Sequence, residues 1–213
     1  MARYTGPRCR YCRVERTKLF LKGQRCYSDK CPMNNASEHG LPGKEPRARS
    51  KKPTDYGLML REKQKLKRTY GMLEKQFKLA FVEANRMAGK TGENLISLLE
   101  RRLDNVVYRM HFACSRSQAT QLVGHGHILV NGKRVDIPSY RVKAGDVITL
   151  SATAKNMPSV KESLAEYGKS GIVAWMTLDE AQMTGTFNAV PRRSEVKELE
   201  NINEQLVVEL YSR

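Results

Sequence analysis

The stretch that decides the fold reads ERRLDNVVYRMHFACSRSQATQLVGHGHILVNGKRVDIPSYRVKAGDVITL and spans residues 100–150. Apolar residues recur at steps of three and four through its first part, which indicates an amphipathic helix. Ser115-Arg116-Ser117-Gln118 fits a capping box, so a second helix is predicted to begin there and to end at Gly124. Two apolar runs then flank Asn131-Gly132, the strongest short hairpin signal, and DVITL (146–150) supplies a further strand. The stretch therefore predicts two helices followed by a small, bent antiparallel sheet.

Basic and polar side chains cluster on this predicted unit. The first turn of the helix that begins at Ser115 would present free backbone N–H groups, which form a ready site for an anion. Arg102 and Arg109 are seven residues apart, which places them on nearly the same face of the preceding helix, off its buried stripe. The residues predicted to contact a polyanion in this unit are Arg102, Arg109, Ser115, Arg116, Ser117, Gln118, His125, Asn131, Lys133 and Arg134.

The charge of the chain is strongly positive and unevenly distributed. Its 213 residues include 38 Lys and Arg against 22 Asp and Glu, a net charge of +16, and the sequence pI is about 9.8. Residues 1–70 alone hold 19 basic and 6 acidic residues, a net charge of +13. Such an uneven positive charge favours binding to a polyanion, and nucleic acid is the first candidate. An anionic membrane surface is the weaker candidate, because no segment joins the basic block to a large apolar face.

The first half of the chain joins a basic linker to a helical pattern. Residues 41–57 are rich in Pro and Gly and indicate an extended linker. From Leu58 to Met87 apolar residues recur at steps of three and four, which predicts a helix. Basic residues accompany this stripe with only Glu62 to balance them, which favours a phosphate-facing surface over a merely solvated one. The predicted contacts here are Arg3, Tyr4, Arg8, Arg10, Arg47, Arg49, Lys51, Lys52, Arg61, Lys63, Lys65 and Arg68.

Four of the five cysteines form two close pairs, Cys9-x2-Cys12 and Cys26-x4-Cys31. Two thiols on a tight turn can face one ion, and a second such turn completes a tetrahedron of sulfurs at about 2.3 Å from a zinc ion. An iron–sulfur cluster is the alternative metal group, because four thiolates hold either. The odd cysteine count argues against a complete disulfide framework. A redox CxxC lacks its usual βαβ setting, and free thiols in a loose loop are the remaining possibility.

Several long motifs resemble the S-four family of bacterial small-subunit ribosomal proteins. They are MARYTGP (1–7), YGLMLREKQKLKRTYGMLEKQF (56–77), TGENLISLLERRLDNVVYR (91–109), the stretch 100–150 and NEQLVVELYSR (203–213). The resemblance covers nearly the whole chain, and residues 151–190 match least well. The four-cysteine N-terminus resembles the metal-binding branch of the family, whereas other members lack it.

The resemblance implies an α+β architecture. It consists of a zinc-bound N-terminal segment (1–45), a helical domain (46–92) completed by a C-terminal helix (191–213), and an inserted helix–hairpin RNA-binding domain with its extension (93–190). In this architecture the end of the chain returns to pack with the first helical domain.

The resemblance also implies a function. The protein would bind the 5′ domain of small-subunit rRNA, nucleate assembly of the 30S particle, contact neighbouring ribosomal proteins and lie near the mRNA entrance. Some members repress translation of their own mRNA. No apolar run follows Met1, and none elsewhere reaches the roughly 18 residues needed to span a bilayer, so we expect a cytoplasmic, ribosome-bound protein without a membrane partner.

Enzymes are the main alternative class, because pseudouridine synthases, a tyrosyl-tRNA synthetase and some methyltransferases carry the same small domain. Outside about 93–155, however, the sequence has no Gly-rich nucleotide loop, paired carboxylates or nucleophile with a base. His125 and His127 lie in a Gly-flanked turn and are interpreted as loop or RNA-contacting residues. A heat-shock or ribosome-rescue factor with this domain would be shorter. The sequence therefore predicts a structural protein rather than an enzyme.

Overall fold

The computed structural model of the chain describes residues 4–34, 42–43, 52, 54–167 and 171–212. The chain divides into two compact units, one formed by Met1–Gly92 with Glu198–Arg213 and the other by Glu93–Lys197. Helices and an antiparallel sheet occur together, which confirms the predicted α+β class. Most of the predicted linker at 41–57 lies outside the described residues. Within the described ranges, the helices are all too short or too polar to cross a membrane.

In chain order the helices are α1 (Cys9–Glu15), α2 (Asp55–Thr69), α3 (Glu74–Arg86), α4 (Thr91–Glu100), α5 (Leu103–Arg109), α6 (Arg116–Gly124), α7 (Ala152–Lys155), α8 (Pro158–Tyr167) and α9 (Glu204–Ser212). The strands are β1 (Ile128–Val130), β2 (Lys133–Arg134), β3 (Val147–Leu150), β4 (Met176–Asp179) and β5 (Thr184–Phe187). Short 3₁₀ turns occur at Gly23–Cys26, Arg193–Glu195 and Lys197–Leu199.

The first unit is built around the packing of α9 against α2. Leu66 of α2, Phe77 of α3 and Val207 of α9 are fully buried and contribute to its core. Near the end of α9, the ring of Tyr211 stacks on Phe81 of α3 with centroids 4.5 Å apart. The last helix of the chain therefore completes the hydrophobic core of the first helical region.

The single helix predicted from Leu58 to Met87 is wrong, because α2 and α3 are separate helices. Gly71 adopts a φ of 65°, a left-handed conformation that glycine tolerates and that ends α2. The turn residues Tyr70 and Met72 are nevertheless buried. The apolar stripe therefore looks continuous in the sequence although the helix is broken.

The next predicted helix is also divided, into α4 and α5. α4 begins at Thr91 and ends at Glu100. Arg102 is extended, with φ −67° and ψ 135°, and forms an isolated antiparallel bridge with Arg141. The N–H of Leu103 donates to the carbonyl of Tyr140 at 2.9 Å. This pairing satisfies backbone groups that a continuous helix would have used internally, which explains the break.

The cap, the hairpin and the strand predicted within residues 100–150 are confirmed. The hydroxyl of Ser115 accepts a hydrogen bond from the N–H of Gln118, and α6 ends at Gly124. β1 and β2 pair antiparallel across Asn131-Gly132, whose φ values of 49° and 76° are those of a type I′ turn. β3 pairs antiparallel with β1 on its other side.

Two further strands come from residues 151–190, to which the sequence assigned no role. β5 pairs antiparallel with β3, and β4 pairs with β5, so the strand order among the described residues is β2-β1-β3-β5-β4. A Cβ added at Gly185 would lie 2.5 Å from the sulfur of Met110. Glycine therefore allows β5 to approach the end of α5 closely. Ile128, Ile148 and Phe187 on three adjacent strands are fully buried.

Candidate nucleic-acid interface and cysteine cluster

A buried polar network joins the helices of the second unit. The carboxylate of Glu100 is fully buried and accepts hydrogen bonds from Nη2 and Nε of Arg109 at 2.8 and 3.1 Å. Asn105 donates to Glu100 Oε2 at 2.7 Å and accepts from Nε of Arg116 at 2.8 Å. The guanidinium of Arg116 also lies 4.5 Å from the ring centroid of Tyr108. Buried charges need such partners, so the network holds α4, α5 and α6 in register.

The prediction that Arg109 lies off the buried stripe is wrong, and the predicted contact Arg116 is buried as well. Only 8% and 7% of these residues are exposed, and both guanidinium groups bond inside the unit. A spacing of seven residues places two side chains on one face only within a single helix, whereas Arg102 precedes the first residue of α5. Arg102 itself is half-buried and forms a bidentate pair with Asp104 at 3.0 and 3.2 Å. These arginines hold the helices together, and their contact with RNA stays a prediction.

Burial also perturbs the acid in this second pair. Desolvation raises the pKa of Asp104, and the neighbouring Arg102 and Arg116 charges counteract it. Thr120 on α6 donates to Asp104 at 3.4 Å and to the carbonyl of Arg116 at 2.8 Å. Asp104 thereby connects α5 to α6 a second time. No sequence motif marks Glu100, Asp104 or Asn105, so these partners of the arginines were not predicted.

The first turn of α6, predicted to be an anion site, is partly occupied by its own side chains. Ser115 is buried and caps the helix. The side-chain oxygen of Gln118 accepts from both the N–H and the thiol of Cys114 at 2.9 Å, one residue before the position that a standard capping box would use. Ser117 is half-buried. Anion binding at this turn stays a prediction.

The amide of Asn131 is committed to the sheet. Its Nδ2 donates to Asp146 Oδ1, and its Oδ1 accepts from the N–H of Val147, both at 2.9 Å. The side chain therefore ties the hairpin to the start of β3. Its predicted RNA contact is not tested, but the geometry gives it a structural role.

The hairpin brings an exposed cationic group to the end of α6. Lys133 and Arg134 are exposed, as is His125. Arg134 donates to the carbonyl of His125 at 3.4 Å, and its guanidinium fills the space beside Gly126 where a Cβ would otherwise lie. Two of the predicted residues, His125 and Arg134, are therefore in contact, and Lys133 precedes Arg134 in β2. Cations held at a hairpin tip can position a phosphate backbone.

The basic side chains of α2 are largely neutralised inside the first unit. Buried Lys63 pairs with Glu74 at 2.5 Å, and Lys67 pairs with the same carboxylate at 2.8 Å. Lys65 pairs with Glu62 at 2.5 Å. The prediction that Glu62 alone balances this helix is therefore wrong, because Glu74 approaches it from α3. Among the predicted RNA contacts of α2, Lys63 is buried, and its ion pair with Glu74 has a structural role.

Glu15 at the end of α1 supplies a further acid to α2. Its buried carboxylate pairs with Arg68 and, at 3.6 Å, with exposed Arg61. Burial raises the pKa of Glu15, and these cations counteract it. The Arg68 guanidinium also lies 4.5 Å from the ring centroid of Tyr11, which contacts the ring of Tyr4 at the same distance. Charge and aromatic contact thus attach α1 to α2.

Glu74 gives the first unit a defined acid sensitivity. Partial burial opposes ionisation, but hydrogen bonds from Lys63, Lys67 and Tyr211 lower the pKa of Glu74 to about 2. The folded state therefore binds this proton more weakly than the unfolded chain, so the carboxylate stabilises the fold above the ordinary glutamate pKa of 4.5. This stabilisation is lost as the pH falls from that value through about 2.

We expect Glu74→Gln to lower the free energy of unfolding by a constant amount at neutral pH. The difference from the wild-type chain should shrink as the pH falls from about 4.5 towards 2. Urea unfolding of both chains at a series of pH values measures it. A difference that does not change with pH across this window would contradict the expectation.

The described part of the first unit has twelve exposed cations, and half of them lie in the cysteine segment, which we define as residues 9–31. Those six are Arg10, Arg16, Lys18, Lys22, Arg25 and Lys30. Only Arg10 was among the predicted contacts. The net charge of residues 1–70 predicts a basic surface in this part of the chain. It does not show which cations are exposed and which are paired with acids. Arg8 is half-buried, Lys52 is exposed, and the remaining candidates, Arg3, Arg47, Arg49 and Lys51, lie outside the described residues.

Of the four paired cysteines, Cys12 packs in a small apolar cluster with Leu19 and Leu21. Cys12, Cys26 and Cys31 are buried and Cys9 is half-buried. Burial raises the pKa of the Cys12 thiol, and the charges of the other three cysteines raise it further. Cys26 Sγ accepts a hydrogen bond from the N–H of Lys22 at 3.3 Å. Among the residues that the structure describes, however, no three Cys, His, Asp or Glu side chains converge closely enough to hold a metal ion.

The chain matches two protein families in succession. Residues 3–100 match the ribosomal protein S4/S9 N-terminal domain, and residues 101–148 match the S4 domain. The chain is 54% identical to the small ribosomal subunit protein uS4 of Trichlorobacter lovleyi, 52% to that of Pelobacter propionicus and 49% to that of Magnetococcus marinus. Each comparison covers 213 residues and the whole of both chains.

The chain belongs to the uS4 family. The S4-domain match covers α5, α6, β1 and β2 and ends within β3, so β4 and β5 extend the sheet beyond it. The boundary between the two matches falls between residues 100 and 101. The buried pair of Glu100 with Arg109 therefore joins the last residue of the N-terminal match to the S4 domain. In this uS4 family chain the two matched regions share one buried charge network.

Proposed function

We propose that the chain is a structural protein of the small ribosomal subunit and binds small-subunit rRNA. The observation that carries this proposal is identity of about half of all residues, over the full length, with small ribosomal subunit proteins uS4 of three bacteria. The exposed cations of the cysteine segment and the cationic hairpin tip suit a polyanionic partner, because each phosphate that a cation neutralises releases bound counterions.

The finer parts of this role are also proposals. The protein docks on the 5′ domain of the rRNA, nucleates 30S assembly, contacts neighbouring ribosomal proteins and lies near the mRNA entrance. Repression of its own mRNA would use the same exposed cations, since a structured mRNA offers the same phosphates. The protein is not an enzyme, because the family to which it belongs consists of ribosomal structural proteins.

Sedimentation of ribosomal particles tests the role. We expect the chain in purified small subunits at one copy per particle, and we expect it to remain after a high-salt wash. An enzyme or a transient factor would be substoichiometric or would be removed by the wash. Binding of the purified chain to an isolated 5′-domain rRNA, and not to the other rRNA domains, tests the docking site.

We further propose that Cys9, Cys12, Cys26 and Cys31 hold one zinc ion, with an iron–sulfur cluster as the alternative. The donor set suits either group, since it offers four free thiols in two close sequence pairs and a backbone N–H bond to Cys26 Sγ. Binding would require the sulfurs to move closer together than they lie in the structure. A bound metal would stabilise the fold of the cysteine segment.

Metal analysis of anaerobically purified protein distinguishes these groups. We expect a colourless chain with one zinc per molecule, and a Cys26→Ser variant that has lost it. Cys114→Ser is the matched control, because the fifth cysteine lies outside the two close pairs and should not affect metal content. A brown protein that contains iron would show that the cysteines hold an iron–sulfur cluster instead of zinc. A metal-free wild-type chain would contradict both.

A further inference from the structure

An exposed aromatic pair lies in the cysteine segment, apart from every contact predicted from the sequence. Tyr27 is 65% exposed, although its neighbour Cys26 is buried. The ring centroid of Tyr27 lies 5.2 Å from that of Phe20, and the two planes are inclined by 31°. Phe20 therefore supports one side of the tyrosine ring, while much of the ring remains open to solvent. The exposed ring therefore offers a flat apolar face on which a partner can stack.

The backbone holds this pair in place. Phe20 adopts a φ of 48°, which is rare for a bulky residue and persists only where the surroundings impose it. The flanking Leu19 and Leu21 are buried at 6% and 7% exposure and anchor the segment on both sides. The N–H of Tyr27 donates to the carbonyl of Gln24 at 3.0 Å and closes the turn that carries the ring. The aromatic surface is thus positioned before any partner binds.

The charges around this pair favour RNA over protein as its partner. Residues 16–34 contain five Lys and Arg and a single acid, Asp29. Lys22, Arg25 and Lys30, all exposed, lie within five residues of Tyr27 along the chain. An apolar protein surface would gain nothing from these cations, whereas an unpaired nucleotide presents both a flat base and charged phosphates.

We infer that Tyr27, supported by Phe20, is a stacking platform for one unpaired base of small-subunit rRNA. Lys22, Arg25 and Lys30 take the phosphates on either side of that base. Stacking of a base on an aromatic ring is tolerant of sequence, because every base has a π face. The platform therefore contributes affinity at a single-stranded position of the rRNA without selecting its base. This inference rests on the proposed rRNA-binding function.

The affinity of Tyr27→Ala for a 5′-domain rRNA fragment, measured over a range of salt concentrations, tests the platform. We expect binding about 5- to 150-fold weaker than wild type, with the slope of log affinity against log salt unchanged because no charge is removed. Tyr27→Phe should bind like wild type. Lys22→Gln with Arg25→Gln should instead flatten the slope by about 1.5 units. Tyr56→Ala is the matched control, since Tyr56 is 59% exposed and lies in α2.

Two results would overturn the inference while the proposed function stands. One is a wild-type chain that binds the fragment and a Tyr27→Ala chain that binds equally well. The other is an equal loss in Tyr56→Ala, which would show a general effect of exposed tyrosines. Failure of the wild-type chain to bind any rRNA fragment would instead contradict the proposed function itself.

A fluorescent variant gives an independent measurement. Tyr27→Trp adds an exposed indole to a chain whose single tryptophan, Trp175, is 4% exposed. We expect a short single-stranded oligoadenylate to quench this added emission and a blunt duplex of equal length to leave it unchanged. Equal quenching by both probes, or none by either, would mean that Tyr27 does not stack on an unpaired base. Unchanged circular dichroism and metal content would show that each variant retains its fold.

Discussion

Replacing Glu100 with alanine is expected to lower the free energy of unfolding of the second unit by about 3–5 kcal/mol. The substitution leaves the guanidinium of Arg109, whose side chain is 9% exposed, without the carboxylate that it binds through two nitrogens. It also removes the closer of two acceptors of the Asn105 amide, the Glu100 carboxylate at 2.7 Å, and leaves only the Glu100 carbonyl at 3.3 Å to hold the side chain that orients Arg116. Since domains are stable by only about 5–15 kcal/mol, this loss is a large fraction of the total.

The fluorescence of Trp175 provides the measurement, because the chain has one tryptophan and it is buried in the second unit. Glu93→Ala is the matched control, since Glu93 is an exposed acid in the first turn of the same helix and its loss should cost about 1 kcal/mol or less. A Glu100→Met, Arg109→Met double variant should recover much of the loss, because neither charge then remains buried alone. Equal destabilisation by Glu93→Ala and Glu100→Ala would contradict a structural role for the network.

Local signals in the sequence predicted the parts of the fold that local interactions determine. The cap at Ser115, the turn at Asn131-Gly132 and the strand that follows Gly145 each depend on residues a few positions apart, and each is confirmed. β5 depends instead on pairing with β3, about 37 residues earlier in the chain, and β4 joins the sheet by pairing with β5. Thr184, Gly185 and Thr186 carry little apolar pattern, so no alternation of apolar and polar residues predicts a strand there.

The candidate interface was less predictable than the fold, because a cation's role depends on which acid reaches it. Glu15 pairs with Arg68, 53 residues away, and Glu74 pairs with Lys63, 11 residues away. No spacing rule relates these positions. A break of the helix at Arg102 likewise turned Arg109 towards Glu100. The net charge predicted the class of the partner, a polyanion. It could not distinguish cations that pair with acids inside the protein from cations that are exposed.

The salt dependence of rRNA binding should separate these two kinds of cation. We expect neutralisation of six exposed side chains in the cysteine segment to flatten the slope of log affinity against log salt by about 4–5 units, because each phosphate contact contributes about 0.7–0.9. The six substitutions are Arg10→Gln, Arg16→Gln, Lys18→Gln, Lys22→Gln, Arg25→Gln and Lys30→Gln. Exposed substitutions of this kind change stability by only about 0.5 kcal/mol each, so the fold should remain.

The paired lysines of α2 provide the control for this experiment. Lys65→Gln with Lys67→Gln removes two cations that Glu62 and Glu74 already neutralise at 2.5 and 2.8 Å. If ion pairing within the unit decides which cations reach RNA, this double variant should leave the slope nearly unchanged. A change of about 1.5 units would show that both lysines exchange their carboxylates for phosphates on binding. A sixfold variant with an unchanged slope would mean that the cysteine segment faces water or protein, and the phosphate contacts would then have to come from other cations such as the hairpin tip.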